Sequence, residues 1–396
     1  MVFRKLVSPI NLIILAGLWL VACSGNPINL AARAWADETP ATPHIVVSQA
    51  TANPTLTPTP APTETFTPTP PPTPTSTLVV PVTATSTDTP TPMPSATSTI
   101  TPAATDTPAP TQTPLPETLG TVFVIVMENT NWSELKGSES APYLNNVLLP
   151  QASYAEEYYN PPGLHPSEPN YLWLEAGTGF GITDDNDPNA NHQSTSLHLV
   201  TLLDQMGVSW KSYQEDISGT DCPLTSNGLY APKHNPMVYF DDVTDTNNPN
   251  FPYCIAHVRP VSELAPDLQN NTVAQYNFIV PNLCNDMHGD GRCLLSNRIQ
   301  NGDEWLANNV PNILNSPAYA NGGVLFITWD EGSGKSDGPI GLLALSPKAK
   351  GGGYSNTVHY THSSLLRTIQ EIFGVTPLLG DAAQATNLSD LFVTFP

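Results

Sequence analysis

The stretch TVFVIVMENTNW, Thr121–Trp132, decides the fold class that we predict for this chain. Six apolar residues, Val122–Met127, run without alternation and are followed at once by Glu128 and Asn129. A short continuous apolar run is typical of a strand that is buried on both faces of a parallel sheet. Ligands of such sheets bind beyond the carboxyl ends of the strands. Glu128 and Asn129 have the oxygen atoms that a metal ion needs, but this stretch alone favours a plain strand followed by an Asx-type turn.

A second stretch of the same kind lies about 200 residues further along the chain. Val324–Trp329, VLFITW, is another run typical of a buried strand and is followed by Asp330 and Glu331. Because the carboxyl ends of parallel strands meet at one edge of a sheet, the two stretches would place four oxygen ligands around one ion. Together they predict a metal site that neither stretch indicates alone.

Strands alternate with helices over the rest of residues 119–396. Further strands are predicted at Val208–Tyr213 and Asn277–Val280, and helices at Ala141–Leu149, Asn170–Ala176, Ser194–Met206, Ile299–Val310 and Ser363–Phe373. This alternation predicts an α/β domain with a doubly wound, mostly parallel sheet and helices on both faces. The length suffices for one large domain with a substantial core.

The composition argues against nucleic acids and anionic membrane surfaces as partners. The chain has 396 residues, with 13 basic and 35 acidic side chains and a formal net charge of −22. Nucleic acids and anionic membrane surfaces are bound through basic patches, so neither is expected to bind this domain directly.

The first 118 residues predict export and a spacer. Arg4 and Lys5 precede the short apolar run Ile10–Val21, and LVAC ending at Cys23 resembles a bacterial lipobox. We therefore predict a lipoprotein signal peptide over residues 1–23 with lipid on Cys23, which would anchor the protein at the cell surface; a secretory signal or an anchoring helix is the alternative. Residues 24–118 are rich in Thr and Pro, with TPTP-like repeats, and predict a disordered, extended linker.

Four cysteines remain in the exported part of the chain: Cys222, Cys254, Cys284 and Cys293. Oxidising surroundings favour disulfides, and four cysteines allow three pairings. Proximity in the chain favours Cys222 with Cys254 and Cys284 with Cys293. Zinc binding is the alternative, although no CxxC pair is present.

Ser167 and several histidines are candidates for catalysis. Ser167, two residues before Pro169, is predicted at a helix amino terminus, where backbone N–H groups favour a phosphate. A plain N-cap is the alternative for this serine. His165, His234, His288, His359 and His362 lie in loops or at element ends near the acidic pairs, so two or three functional histidines are expected.

The sequence motifs of residues 121–374, taken together and in their order along the chain, resemble those of the phosphoesterase family. That family includes bacterial and fungal acid phosphatases and non-specific, phosphatidylcholine-type phospholipases C. That family belongs to the alkaline-phosphatase-like superfamily. The matching segments are MEN at residues 127–129, HPSEPNY at 165–171, KHNP at 233–236, FIVPNLCNDMH at 278–288, TWDEG at 328–332 and HYTHS at 359–363.

The resemblance implies a role for each matching position. Ser167 would be the nucleophile that is transiently phosphorylated, and His234 and His288 would be catalytic. A divalent ion, Ca, Zn, Mg or Mn, would be held by Glu128, Asn129, Asp330 and Glu331. The substrate would be bound by His165, Asn170, Lys233 and His362.

One departure bears on the substrate. The phospholipase branch continues its acidic pair as D-E-x-x-G-x-x-D-H, whereas residues 330–338 are DEGSGKSDG, with Gly338 in place of the histidine. The expected function is therefore a metal-dependent phosphoric ester hydrolase of the acid-phosphatase kind. A phospholipase C that releases diacylglycerol and an inactive surface-binding lipoprotein are the alternatives.

Overall fold

The computed structural model describes residues 119–294, 297–335 and 337–396. The predicted signal peptide, Cys23 and the Thr/Pro-rich linker lie outside these residues. Within the described ranges, none of the helices combines the length and the apolar character that crossing a membrane requires.

Most of the described strands belong to one sheet. They are β1 (Val122–Met127), β2 (Ser153–Ala155), β3 (Tyr158–Tyr159), β4 (Trp210–Gln214), β5 (Val258–Pro260), β6 (Tyr276–Val280), β7 (Val324–Trp329), β8 (Leu342–Leu345), β9 (Tyr354–Asn356) and β10 (Tyr360–Thr361). Eight of them form a sheet in the order β5-β4-β6-β1-β7-β8-β2-β9, and β3 pairs with β10. Only β8 runs antiparallel to its neighbours, β7 and β2. The predicted mostly parallel sheet is confirmed.

Helices connect these strands. The described α-helices are α1 (Trp132–Leu135), α2 (Leu149–Gln151), α3 (Ser167–Ala176), α4 (Pro188–Asn191), α5 (Leu199–Gln205), α6 (Asp241–Thr244), α7 (Pro252–His257), α8 (Leu264–Asn270), α9 (Arg298–Leu314), α10 (Pro317–Ala320) and α11 (His362–Phe373). Helix α3 packs against α11, and Trp173 Nε1 of α3 donates a 2.8 Å hydrogen bond to Ser363 Oγ of α11.

The centre of the sheet is its most deeply buried part. Every residue of β1, β6 and β7 is buried. Side chains alternate between the two faces of a strand, so complete burial means that both faces are covered. This explains why β1 and β7 are continuous apolar runs, and it places their carboxyl ends side by side, since they are paired in parallel from Val122 with Val324 to Met127 with Trp329.

Several predicted boundaries differ from the structure. The helix predicted from Ser194 begins at Leu199, because Ser194 Oγ bonds Asp241 and the backbone of Gln193 pairs with residues 239–241. The helix predicted at Ala141–Leu149 is a π-helical segment, Leu144–Leu148, followed by α2. In contrast, α3 and α9 are longer than predicted and begin at the residues that turn out to matter for the site.

Candidate active site

Three strands deliver acidic residues to one place. Glu128 follows β1 and Asp330 follows β7 directly, while Asp286 lies in the loop after β6. The backbone N–H of Glu128 donates to the carbonyl oxygen of Asp286 at 2.7 Å, and the N–H of Asp330 donates to that of Met127 at 2.9 Å. The predicted convergence of Glu128 and Asp330 is therefore present in the structure, and Asp286 joins them.

Ser167 points at this acidic group from the start of α3. Pro166 is the N-cap, so Ser167 is the first helical residue and not the cap itself. Its Oγ donates a 3.0 Å hydrogen bond to Glu128 Oε2, and the side chain is almost fully buried. The free N–H groups at the amino terminus of α3 favour an anionic phosphoryl group beside this hydroxyl, whereas the carboxylate of Glu128 repels it unless a cation is bound there.

The acidic residues carry oxygens without partners. Among the described residues, Glu128 Oε1, Asp286 Oδ2, Asp330 Oδ2 and Asn129 Oδ1 have no hydrogen-bond donor. Burial raises the pKa of all three carboxyls, and the charge of Glu128 raises the pKa values of Asp286 and Asp330 further. Fully buried carboxylates without donors are costly, so the cluster calls for a positive ligand.

Glu331 is held from three sides. Asn129 Nδ2 donates to Glu331 Oε1 at 2.6 Å, and the N–H of Asn129 donates to Asp330 Oδ1 at 2.9 Å. Glu331 Oε2 lies 2.5 Å from His165 Nδ1 and accepts from Asn170 Nδ2 at 3.2 Å. The predicted metal ligands are thus adjacent, whereas His165 and Asn170, predicted to bind substrate, support Glu331 instead.

Lys233 and His288 bring positive charge near the acidic residues. Lys233 Nζ lies 2.8 Å from Asp185, and its pKa is raised against the effect of burial by Glu128 and Asp185. Burial raises the pKa of Glu128, while the charges of Lys233 and His288 oppose that rise. Lys233 and exposed His288 line the same cavity of about 310 Å³. These two residues are therefore available to a substrate.

His234 lies inside the cluster. Its Nε2 is 3.2 Å from Glu128 Oε1 and its Nδ1 is 3.6 Å from Asp286 Oδ2, and the ring stacks on Tyr171 with centroids 5.1 Å apart. Burial, followed by the charges of Lys233 and His288, lowers the pKa of His234 well below its usual value. Of the two histidines predicted as catalytic, His234 is thus buried among the acidic residues and His288 is the exposed one; the catalytic role of each stays a prediction.

His362 lies behind the site. It is fully buried, and its Nε2 donates to the carbonyl oxygen of Asp330 at 2.6 Å. A carbonyl only accepts, so Nδ1 is the acceptor for the Tyr158 hydroxyl at 3.1 Å. Burial lowers the pKa of His362 to about 4. Its predicted contact with substrate is incorrect, because both ring nitrogens bond protein atoms; His362 fixes the backbone of Asp330.

The cysteines form two disulfides. Cys222 pairs with Cys254 and Cys284 with Cys293, with Cα atoms 5.5 and 5.4 Å apart. This is the pairing that proximity in the chain favours. The second disulfide closes the loop that carries Asp286 and His288, so it constrains the third acidic strand end.

Two residues that contact the site were not identified from the sequence. Asp286 stands in the FIVPNLCNDMH segment, after a buried strand, as Glu128 and Asp330 do, and that shared position was the available signal. Arg298 carries no such signal, because its contacts are with loops distant in the chain.

The donor set fits a divalent ion. In the described parts of the chain, no three His, Cys, Asp or Glu side chains already converge in the geometry of a metal site. The unpartnered, buried oxygens of Glu128, Asp330 and Asn129, with the Ser167 hydroxyl beside them, are nevertheless the hard oxygen donors that such ions take. A divalent ion at these oxygens would compensate the negative charge of the buried carboxylates.

Comparison with known proteins identifies the chain. The model of the "Phosphoesterase family" matches residues 139–376, which include Ser167, Lys233, Asp286, Asp330 and Glu331. The chain belongs to the phosphoesterase family. This membership makes it an enzyme that hydrolyses phosphoric esters.

The phosphoesterase has relatives in bacteria and fungi. It is 32% identical over 275 residues to the phosphatidylinositol-3-phosphatase of Mycobacterium tuberculosis, covering 69% of this chain and 83% of that protein. It is 29% identical to a probable acid phosphatase of Kluyveromyces lactis, over 53% of this chain and 47% of the relative. An acid phosphatase of Aspergillus fumigatus is 28% identical, with 65% and 55% covered. The phosphoesterase thus spans about half the length of these fungal relatives.

Solved structures also align with the phosphoesterase. A protein of the alkaline phosphatase superfamily from Vibrio parahaemolyticus aligns over 69% of this chain and 72% of its own, with 9% identity and a TM-score of 0.45. Human ectonucleotide pyrophosphatase/phosphodiesterase 5 aligns over 69% of this chain and 100% of its own, with 12% identity and a TM-score of 0.44.

Proposed function

We propose that residues 119–396 hydrolyse phosphate monoesters in two steps, through a phosphorylated Ser167 and with a divalent ion. The observation that carries the proposal is the 3.0 Å hydrogen bond from Ser167 Oγ to Glu128 Oε2, within a buried group of acidic oxygens that lack donors. Glu128, Asn129, Asp330 and Glu331 would hold the ion. Such an ion supplies charge neutralisation at the phosphoryl group and lowers the pKa of the serine hydroxyl.

The side chains perform the first step as follows. Ser167 Oγ forms a bond to phosphorus, and its proton passes along the hydrogen bond to Glu128 Oε2. The bond from phosphorus to the leaving oxygen breaks, and that oxygen takes a proton from His288. The Nδ1 of His288 donates its proton to the carbonyl oxygen of Gly289 at 2.8 Å. The proton given to the leaving oxygen therefore comes from Nε2.

The second step restores the enzyme. Water attacks phosphorus and gives a proton to His288, the bond from phosphorus to Ser167 Oγ breaks and phosphate departs, and Ser167 Oγ regains its proton from Glu128. The ammonium group of Lys233 and the amino terminus of α3 stabilise the negative charge of the phosphoryl group in both steps. Each residue thus acts from the position that the fold gives it.

The cavity beside the site favours a polar leaving group. It holds about 310 Å³ and is lined by Lys233, His288 and Ser226 and by the carboxylates of Asp185, Asp187 and Asp290. A hydroxylated alcohol without negative charge suits these groups, whereas an acyl chain would leave them without water or partners. This lining and Gly338 both favour a phosphatase over a phospholipase C. The mycobacterial relative is named for a phosphoinositide, whose leaving alcohol carries the negative charge of a phosphodiester and therefore suits this lining less well.

The test is a comparison of two buried serines. Ser167→Ala should lower turnover of a phosphate monoester by at least about 10³-fold, as loss of a catalytic nucleophile does. Ser363→Ala is the matched control, because Ser363 is equally buried in the first turn of α11 but bonds Trp173 and Asp381. Acid quench during turnover should trap phosphate on the Ser167 peptide. Substantial activity of Ser167→Ala, or label on another peptide, would reject the phosphoserine.

The cellular location is a second part of the proposal. We propose that Cys23 carries lipid and that residues 24–118 hold the phosphoesterase away from the membrane, as the lipobox and the Thr/Pro repeats predict. Cys23→Ala should abolish labelling by a fatty acid and release the protein from membranes. Retention in the membrane fraction without label would indicate an uncleaved amino-terminal helix instead.

A further inference from the structure

The guanidinium group of Arg298, the first residue of α9, joins loops that follow the site strands. Its Nη1 donates to the carbonyl oxygens of Asn129 at 3.0 Å and Met287 at 2.7 Å, and to Thr130 Oγ1 at 2.5 Å. Its Nη2 donates at 3.1 Å to Ser333 Oγ. One side chain therefore contacts the loop after β1, the loop after β6 and the loop after β7.

Each of these contacts is close in the chain to an acidic residue of the site. Asn129 follows Glu128, Met287 follows Asp286, and Ser333 is two residues after Glu331. Ser333 Oγ donates its hydrogen to the carboxylate of Glu134 and also lies 3.0 Å from the carbonyl oxygen of Asn129, so the first and third loops are in contact here as well. The distances between the acidic groups thus depend on a set of hydrogen bonds that share Arg298.

The backbone of Met287 shows that the middle loop must be held. Met287 has φ +77°, in the left-handed region that residues with a side chain rarely adopt. This turn brings the N–H of His288 to Asp286 Oδ1 at 2.7 Å. The side chain of Met287 is fully buried against Gly302 of α9, next to Arg298. Such a conformation persists only where surrounding contacts determine it.

The role of Arg298 is positional and not electrostatic. Its Nη2 also lies 3.1 Å from Glu134 Oε1, so its charge is paired outside the acidic cluster. The cations that oppose the raised pKa of Glu128 are Lys233 and His288. A lysine would keep the charge of Arg298 but lacks the planar group that can donate to several loops at once.

We propose that Arg298 is the positioning residue that sets the separation of Glu128, Asp286 and Asp330, and thereby the rate of phosphoryl transfer. The proposal rests on the site proposed above. It adds that the three loops depend on one side chain that touches no reacting atom.

The test compares two arginines in the full-length protein, assayed well below the unfolding temperature. Arg298→Lys should lower kcat for p-nitrophenyl phosphate about 10- to 100-fold, the usual cost of losing a residue that supports a site, while KM changes less than about threefold. The pH dependence of kcat should keep its shape, because the lysine keeps the positive charge and the groups at the site are unchanged. The matched control is Arg367→Lys, since the side chains are 28% and 29% exposed and Arg367 bonds Glu371 and the carbonyl oxygens of Ala383 and Ala385, away from the site.

The outcomes separate this proposal from the previous one. Wild-type kcat for Arg298→Lys, or a lowered unfolding temperature without a change in kcat, would show that the loops do not need Arg298. A KM raised tenfold at unchanged kcat would make it a substrate-binding residue and would also overturn the proposal. Ser167→Ala is assayed in parallel: if it stays active, the proposed site fails, whereas if it is inactive and Arg298→Lys is normal, only the role of Arg298 fails.

Discussion

The buried acidic cluster predicts that a divalent ion stabilises this protein and that Asp330 is required for the effect. Asp330 is fully buried, its Oδ2 lacks a donor among the described residues, and burial followed by the charges of Glu128 and Glu331 raises its pKa. A cation that binds the folded state only shifts the folding equilibrium by mass action. Asp330→Asn keeps the shape of the side chain and removes one charge, so the shift should disappear.

The magnitude follows from the size of the folded part. An ion at one hundred times its Kd stabilises the native state by about 2.7 kcal/mol. Residues 119–396 have an unfolding entropy near 0.6 kcal/mol/K, from about 2.1 cal/mol/K per residue. We therefore expect the unfolding temperature of the wild type to rise by about 5 °C on addition of the ion. Without ion, Asp330→Asn should melt no lower than the wild type, since a buried like charge has been removed.

The assay is thermal unfolding monitored by circular dichroism, first in the presence of a chelator and then with each of Mg²⁺, Ca²⁺, Mn²⁺ and Zn²⁺. Asp303→Asn is the control, because Asp303 is also a buried carboxylate but accepts the N–H groups of Tyr143 and Leu144 at 2.8 Å each. It should melt at a lower temperature yet keep the rise with ion. An equal rise in Asp330→Asn and the wild type would refute the assignment of the ion to this cluster.

Three further predictions concern single interactions. Burial raises the pKa of Glu168 to about 8, so its contribution to stability is full below pH 4.5 and is lost as pH rises towards 8. In urea titrations, Glu168→Gln should therefore gain stability relative to wild type by a few kcal/mol between pH 5 and 8; a constant difference would contradict this. His362→Ala should lower kcat about tenfold, because the carbonyl of Asp330 loses its donor, and an unchanged kcat would deny it that role. Replacing Cys284 and Cys293 by serine should cost about 2–3 kcal/mol in urea unfolding, from the entropy of the 9-residue loop, whereas no loss would mean that the loop is ordered without it.

Much of the fold was predictable because its signals are local. The apolar runs of β1 and β7 indicated strands buried on both faces, and β6 and α11 were predicted within one residue at each end of the segments assigned. Helix starts were less predictable, since α3 begins three residues before the predicted turn and α5 five residues after the predicted start. In α5 the preceding residues bond the segment around Asp241, and that contact is absent from any local pattern.

The sequence by itself determined which chemistry was available. The carboxyl groups that follow β1 and β7, the serine at the start of α3 and the order of motifs predicted a phosphoric ester hydrolase, because strand ends and helix ends are local properties. Those features also placed Glu128 and Asp330, which we propose as metal ligands, at one edge of the sheet.

Only the tertiary structure decided which polar residues act and which support. His165 and Asn170 bond Glu331, and His362 is buried behind Asp330, although all three stand in motifs that suggested substrate binding. Arg298 joins three loops that are up to 169 residues away in the chain. The physical reason is that burial and hydrogen-bond partners are set by contacts distant in sequence. Histidines therefore differ in role with position: we propose the exposed His288 as a proton donor, whereas the buried His362 supports the backbone of Asp330.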